Sequence, residues 1–187
     1  MDRNPQIMVF GSHSPAGGES DYEGALELGR ALAEAGFDVA SGGYGGTMEA
    51  VLKGAREAGR EGVGYTAHIF AAAPNRFVGR EIGSEGLLER IERMIDDSDG
   101  FVVLRGGTGT LSELALCWEL VNKKLVPRKP IVCLGEFWRP LIGLLTGEPS
   151  VESVESLRPE GRSAADFIRF AAGPAEAVRI LKGELEA

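Results

Sequence analysis

Short, predominantly apolar runs alternate along this chain with stretches of helical period. The runs are Ile7-Met8-Val9-Phe10, Phe37-Asp38-Val39-Ala40, Gly62-Val63-Gly64-Tyr65-Thr66, Phe101-Val102-Val103-Leu104 and Pro130-Ile131-Val132-Cys133-Leu134. Apolar runs of this length, without polar alternation, fit strands buried on both faces of a sheet. Between them, Ala25, Leu28, Leu32 and Ala35, then Met48, Val51, Ala55 and Ala58, recur at three- to four-residue spacing. So do Leu87, Leu88, Ile91, Met94 and Ile95, with Arg90 and Arg93 outside the stripe, and Leu111, Leu114, Ala115, Trp118 and Val121. Each set predicts a helix with one buried face. A further helix opens around Phe137 and Trp138, with Pro140 tolerated in its first turn, and 164–172 and 174–185 read as one closing helix or two.

Strand and helix in alternation predict an α/β fold: a Rossmann-like doubly wound parallel sheet with helices on both faces and right-handed crossovers. A chain of 187 residues that is 43% hydrophobic suits a single domain, 1–187, with a helical segment from about 163. Two segments resist the pattern. Residues 67–86, with Pro74, Arg76 and Arg80, have no clean period and read as a long loop bordering the site, its arginines either solvated or within reach of an anion. Residues 151–157 read as a short edge strand or an irregular segment.

The net charge of −8 argues against non-specific binding to nucleic acid or to an anionic membrane surface, since both require a basic face. No apolar run is long enough to span a bilayer, and Met1-Asp2-Arg3-Asn4-Pro5 opens no signal-peptide core. A cytoplasmic protein without nucleic-acid or membrane partners is expected. Cys117 and Cys133 lack CxxC spacing and read as core thiols. Asp96, Asp97 and Asp99 lack the glycine pattern of a calcium loop and read as a solvated turn. Neither a metal site nor a cofactor is expected.

In a doubly wound sheet the ligand sits beyond the carboxyl ends of the strands. Three glycine-rich loops fall on that edge. They are Gly11 to Gly18, Ser41-Gly42-Gly43-Tyr44-Gly45-Gly46-Thr47, and Arg105-Gly106-Gly107-Thr108-Gly109-Thr110. A strand that breaks into glycines and resumes as a helix aims free backbone N–H groups and the positive end of the helix dipole into one small volume, which suits a phosphate. Gly11, Ser12, Gly43, Gly45, Gly46, Thr47, Arg105, Gly106, Gly107, Thr108, Gly109 and Thr110 are accordingly candidates to hold a phosphate or nucleotide. Met48 stands where the third glycine of G-x-G-x-x-G would fall, which disfavours a dinucleotide. His13 follows the first strand as an incidental loop residue or a ligand contact. Glu113 admits two roles: the end of a capping box, Thr110-x-x-Glu113, or a carboxylate facing the substrate. Ser20-x-x-Glu23 reads as a second capping box.

The stretch Gly106-Gly107-Thr108-Gly109-Thr110-x-x-Glu113 resembles the PGGxGTxxE motif of the LONELY GUY family, often labelled lysine decarboxylases. These are dimeric, Rossmann-like phosphoribohydrolases of cytokinin-type nucleoside 5′-monophosphates. The similarity runs from Val9-Phe10-Gly11-Ser12 through Ser41 to Ala50, and on to Pro130-Ile131-Val132 and Phe137-Trp138. It implies Glu113 as the catalytic glutamate and Gly107 to Thr110 as the phosphate-holding turn. It also implies Arg90 as the arginine of the family's M-x-x-R-K motif, matched here by Leu87-Leu88-Glu89-Arg90-Ile91. Ile91 replaces that motif's lysine, and Arg105 replaces the proline of the glycine motif. The resemblance implies hydrolysis of an N-glycosidic bond, not lysine decarboxylation, with a phosphorylated small molecule as partner and a homodimer or higher homo-oligomer as assembly. A carboxylate at the sugar can stabilise an oxocarbenium-like state or activate water, while the clamped phosphate supplies binding energy. The molybdenum-cofactor carrier proteins share the fold and similar glycine loops, so a non-catalytic nucleotide or cofactor carrier is the alternative.

Overall fold

The computed structural model describes residues 3–147 and 167–186. Its strands are β1 (Gln6–Phe10), β2 (Asp38–Ser41), β3 (Gly62–Ala67), β4 (Val78–Ser84), β5 (Gly100–Val103), β6 (Ile131–Leu134) and β7 (Ile168–Ala171). The helices are α1 (Ser20–Glu34), α2 (Thr47–Glu57), α3 (Leu87–Asp96), α4 (Thr108–Asn122), α5 (Arg139–Gly147) and α6 (Pro174–Leu185). The strands make one sheet in the order β4-β3-β2-β1-β5-β6-β7, with every pairing parallel. The doubly wound α/β expectation is met.

Alternating side chains of each central strand enter opposite layers. Ile7 and Val9 of β1 pack with α1, α2 and α6, whereas Met8 and Phe10 pack with α3, α4 and α5. Burial on both sides is why the strands read as continuous apolar runs. On the first face α1 and α2 approach backbone to backbone: a Cβ on Gly29 would run into the Val51 carbonyl oxygen, and one on Gly54 into that of Leu26. Gly36, at φ +97°, ends the turn after α1 in a conformation that favours glycine.

Several expectations are corrected. Within 67–86 the chain forms β4, an edge strand; Val78-Gly-Arg-Glu-Ile-Gly-Ser is half exposed and so carries no apolar period. At the other edge β7 lies inside the stretch expected to be helical. A run as short as Ile168-Arg-Phe-Ala cannot be told from a helix segment by period alone, and pairing with β6 decides it. The chain's end therefore extends the sheet before Pro174 opens α6. On α3 the buried set is Arg90, Ile91, Met94 and Ile95, while Leu87 and Leu88 are exposed. Ser20 forms no cap; the Glu23 carboxylate instead accepts a hydrogen bond from the Gly18 N–H at 3.0 Å. Asp97 and Asp99 are not merely solvated, since Asp97 accepts from the Tyr65 hydroxyl and Asp99 from Arg3 and the Gln6 N–H. The expectation for 151–157 lies outside the described residues.

The strand order reverses at β1, flanked by β2 and β5. The loops leaving β1 and β5 diverge there and leave a crevice at the carboxyl edge.

Candidate active site

The glycine turn after β5 passes straight into α4. Gly107 occupies the N-cap without a side-chain capping bond, and Leu111 N–H donates back to the Gly107 carbonyl at 3.0 Å. The N–H groups of Thr108, Gly109 and Thr110 precede that bond and have no acceptor within the helix. Thr110 is thus the third residue of α4, not its cap, and the capping-box reading of Glu113 is overturned. The Thr110 side chain packs beneath Gly106, where a Cβ would collide with its hydroxyl.

One turn further along the same helix face, Glu113 is buried with 7% exposure. Its Oε1 accepts from Arg90 Nη1 at 3.3 Å. Arg90 Nε donates to the Tyr65 carbonyl at 2.7 Å and Nη2 to the Gly42 carbonyl at 3.2 Å. A buried guanidinium is tolerable when its charge and its donors are matched in this way. That is why Arg90 joins the buried face of α3 instead of lying outside it. Burial pushes the Glu113 carboxyl up and Arg90 pulls it down, leaving it at about 7. Both protonation states are therefore populated near neutrality.

These groups open onto a cavity of about 490 Å³ whose wall includes Gly109, Thr110, Glu113, Arg90 and Tyr44. The Tyr44 hydroxyl accepts from the Ala67 N–H at 2.9 Å and donates to the Ala67 carbonyl at 3.3 Å. The Arg90 guanidinium lies 5.7 Å from the Tyr44 ring centroid, and the Phe70 ring meets Tyr44 edge to face at 5.8 Å. Asn75 ties this loop down: its N–H donates to the Gly43 carbonyl and its side-chain amide to that of Tyr44, each at 2.8 Å. Gly11, His13, Gly45, Met48, Phe70 and Ala72 make up the rest of the wall among the described residues. Contacts link Glu113 to Arg90, Arg90 to Tyr44 and Tyr44 to Phe70, and Thr110 lies one turn before Glu113 at the start of α4. A larger depression, about 590 Å³, lies at the far end of α4 around Val121 to Arg128, and among the described residues no carboxylate lines it.

Of the candidate residues read from the sequence, the structure brings Gly11, Gly45, Arg90, Gly109, Thr110 and Glu113 together on this wall. Others build the loops without lining it. Thr47 donates through its hydroxyl and its N–H to the Ser12 carbonyl, stitching the first two loops. Gly46, at φ +67°, leaves no room for a Cβ against that same carbonyl, and Gly43, at φ +76°, lies against Gly64. Gly107 and Thr108 begin α4 off the cavity wall. Ser12, Arg105 and Gly106 border a separate depression that also holds Glu19 and Asp21. Arg105 there is two-thirds exposed, 3.9 Å from Asp21 and stacked over Phe137. Arg76 lies over Phe77 and Arg80 donates to Gln6, neither on the cavity wall.

Sequence reasoning missed Tyr44, Met48, Phe70, Ala72 and Asn75. A tyrosine inside a glycine loop, and the exposed pair Ile69-Phe70 directly after a buried strand, were the available signals. It also missed the Trp138 indole, whose N–H donates to the Leu104 carbonyl at 2.9 Å and fixes the strand end from which the glycine turn departs. Among the described residues no cluster of three His, Cys, Asp or Glu could hold a metal, and no helix is long and apolar enough to cross a membrane. Cys117 and Cys133 are buried free thiols, both pushed up by burial.

A doubly wound parallel sheet, with a glycine turn opening α4 and a buried carboxylate–guanidinium pair beside it, defines a Rossmann-type protein with an open cleft at the carboxyl edge of its sheet. The chain belongs to the family described as possible lysine decarboxylase, the LONELY GUY family, whose model matches residues 48–178. It is similar to the cytokinin riboside 5′-monophosphate phosphoribohydrolase LOG of Oryza sativa subsp. japonica, 29% identical over 154 residues covering 75% of this chain and 60% of that protein. It is also similar to the cytokinin riboside 5′-monophosphate phosphoribohydrolase of Mycobacterium tuberculosis, 34% identical over 122 residues, 60% of this chain and 61% of that one. The matches thus span about three-fifths of these curated relatives' length. Among solved structures, the molybdenum cofactor carrier protein of Chlamydomonas reinhardtii superposes with a TM-score of 0.70 at 26% identity, covering 99% of this chain and 100% of that one. The molybdenum cofactor binding protein of Rippkaea orientalis shares the fold, with a TM-score of 0.75 at 23% identity and 98% coverage of both chains.

Proposed function

We propose that this chain is a nucleoside 5′-monophosphate phosphoribohydrolase, which adds water across an N-glycosidic bond to release free base and ribose 5-phosphate. The observation that carries the reading is the order of groups along the cavity. The N-terminus of α4 and Thr110 offer donors to a phosphate, Glu113 and Arg90 follow, and an aromatic wall lies beyond them. A nucleotide laid along that line puts its phosphate at the helix, its ribose at the carboxylate and its base against Tyr44. As the glycosidic bond lengthens, positive charge develops on the ribose ring, and the Glu113 carboxylate stabilises it or takes a proton from the attacking water. Phosphate binding fixes the sugar against that carboxylate. The relatives named as phosphoribohydrolases support the reaction class, and the family description as a lysine decarboxylase is not the chemistry we assign. By the same resemblance the working form is a homodimer or a higher homo-oligomer.

The superposition on a molybdenum cofactor carrier over nearly the whole chain favours a second reading, a non-catalytic carrier of a phosphorylated ligand. One experiment separates the two. Purified protein is incubated with a panel of nucleoside 5′-monophosphates, and free base and ribose 5-phosphate are followed by chromatography beside the Glu113→Gln variant. Base release abolished by the substitution is the expected result; binding without release by either form transfers the assignment to the carrier.

A further inference from the structure

The chain carries a net charge of −8, yet residues 120–135 contain four cations, Lys123, Lys124, Arg128 and Lys129, and no carboxylate. This basic stretch leaves the C-terminal end of α4, remote from the glycine turn that opens the same helix. Three of the four cations have partners. Lys129 donates to the carbonyls of Ile95 and Asp96, closing the end of α3, and Lys123 lies 3.9 Å from Glu119. Arg128 stands 3.5 Å from Glu184, a carboxylate already held by Arg169 at 2.8 Å. Lys124 has no ion pair or side-chain hydrogen bond among the described residues.

Lys124 is also the one non-glycine residue with a positive φ among the described residues, at 57°. Its N–H donates to the Val121 carbonyl at 3.1 Å, and the Leu125 N–H donates to that of Leu120 at 2.9 Å. This pair of bonds is the Schellman helix end, whose left-handed position is ordinarily glycine because a Cβ crowds the neighbouring carbonyl. The next residue commonly packs its side chain back against the last turn. Here a lysine takes the strained position, and Leu125 is 70% exposed. Strained residues of this kind cluster at ligand sites. Lys124 and Leu125 both border the 590 Å³ depression at this end of α4, where Val121, Val126, Pro127 and Phe167 supply further apolar lining and Arg128 a second cation. Small-molecule sites have volumes of about 300–1,000 Å³ and are mostly apolar, with a few placed polar groups.

We propose that this depression is a second ligand site, and that it takes a small amphipathic anion: one carboxylate or phosphate head on an apolar body. Lys124 and Arg128 hold the head, while Leu125, Val126 and Phe167 cover the body. Two cations, with no carboxylate among the described lining residues, select the charge, and the apolar lining selects what carries it. The strained lysine follows from this task, since glycine would relax the helix end but withdraw one of the two charges. The site is separate from the cavity that holds Glu113 and does not depend on the reaction proposed there.

The test uses the full chain and calorimetry below the micelle concentration of each probe. Hexanoate, octanoate and decanoate should bind saturably, tightening by up to about fourfold for each methylene buried. Decanoate and decyl phosphate, compared side by side, identify the preferred head. Decanol, which lacks the charge, should bind about threefold to tenfold more weakly than decanoate. Lys124→Gly removes charge and strain together, so it should bring decanoate close to the decanol level while leaving the melting temperature unchanged or higher. Lys124→Arg should keep the affinity. Leu125→Asp, at a position open to solvent, should abolish binding in a protein that melts normally. No saturable binding of any acid overturns the proposal. Equal decanoate affinity in the native, Lys124→Gly and Arg128→Gln proteins overturns it as well, by reducing the uptake to apolar adhesion, and so does decanol binding as tightly as decanoate. Self-association that Leu125→Asp abolishes, seen by sedimentation in a protein that binds none of the acids, would give this face to a second copy of the chain and overturn the proposal too.

Discussion

Arg90 of α3 and Glu113 of α4 meet at 3.3 Å, and the arginine's other two hydrogen bonds go to the carbonyls of Tyr65 and Gly42. The guanidinium is thereby fixed from three directions. It keeps a buried carboxylate partly ionised from a position it cannot leave without abandoning two backbone acceptors. A lysine at this position could not replace it, because one ammonium lacks the planar fork that reaches three acceptors at once.

On the proposed phosphoribohydrolase reading, that relationship sets the pH dependence of turnover. With Glu113 at about 7 and its carboxylate the active form, kcat/KM should climb with pH below neutrality and level off above it. Arg90 lowers the Glu113 value, so Arg90→Lys, with its looser contact, should move the inflection to higher pH, and Glu113→Gln should leave a low, flat profile. Rate profiles for the three proteins check this; an inflection that stays in place in Glu113→Gln assigns it to another group.

The same shift has a sign for stability. Glu113 is raised from an ordinary 4.5, so between that value and about 7 the folded chain holds the proton more tightly than the unfolded chain does. Its contribution is whole below the unfolded value and is lost as pH rises through the folded one, with a slope of at most about 1.4 kcal/mol per pH unit. Urea unfolding at pH 5 and pH 7.5 should show the native protein losing more stability over this interval than Glu113→Gln, in which the titrating group is gone.

How much of this was legible in the sequence depends on what each residue answers to. The five central strands could be read because both their faces are buried, leaving no polar interruption in runs such as Phe101 to Leu104. The edge strands β4 and β7 could not, since an edge satisfies only one side and tolerates Gly79, Arg80 and Arg169. The glycine turn and Glu113 were visible as a local motif. Arg90 sat in a helix stripe as an apparent outsider, and only the carbonyls of Tyr65 and Gly42, distant in sequence, explain its burial. Tyr44 was hidden for the same reason: its role depends on Ala67, Phe70 and Asn75, which the sheet brings to it.

The glycines on α1 and α2 carry a prediction separate from the site. Gly29 and Gly54 are where the two helices touch through backbone, and a methyl group at either meets a carbonyl oxygen that cannot rotate away. Gly29→Ala and Gly54→Ala should each destabilise the fold by about 1 to 3 kcal/mol, the usual cost of overpacking, by forcing the helices apart. Denaturant unfolding would measure the loss. Ribose 5-phosphate affinity of the folded fraction should be unchanged, because neither glycine touches the cavity wall.

Arg105 supplies the converse test, since its place beside the glycine turn made it a candidate anion ligand. Its side chain is 66% exposed, its 3.9 Å pairing with Asp21 is open to solvent, and it stands over Phe137 outside the cavity. An exposed ion pair of this kind contributes little, and cation–π stacking at an exposed ring adds about 0.5–1 kcal/mol. Arg105→Ala should therefore lower stability by about 1 kcal/mol or less while leaving KM and kcat at their native values. A KM that rises with the substitution, in a protein whose melting temperature is unmoved, would return Arg105 to the substrate and require the phosphate to extend past Gly106 towards Ser12.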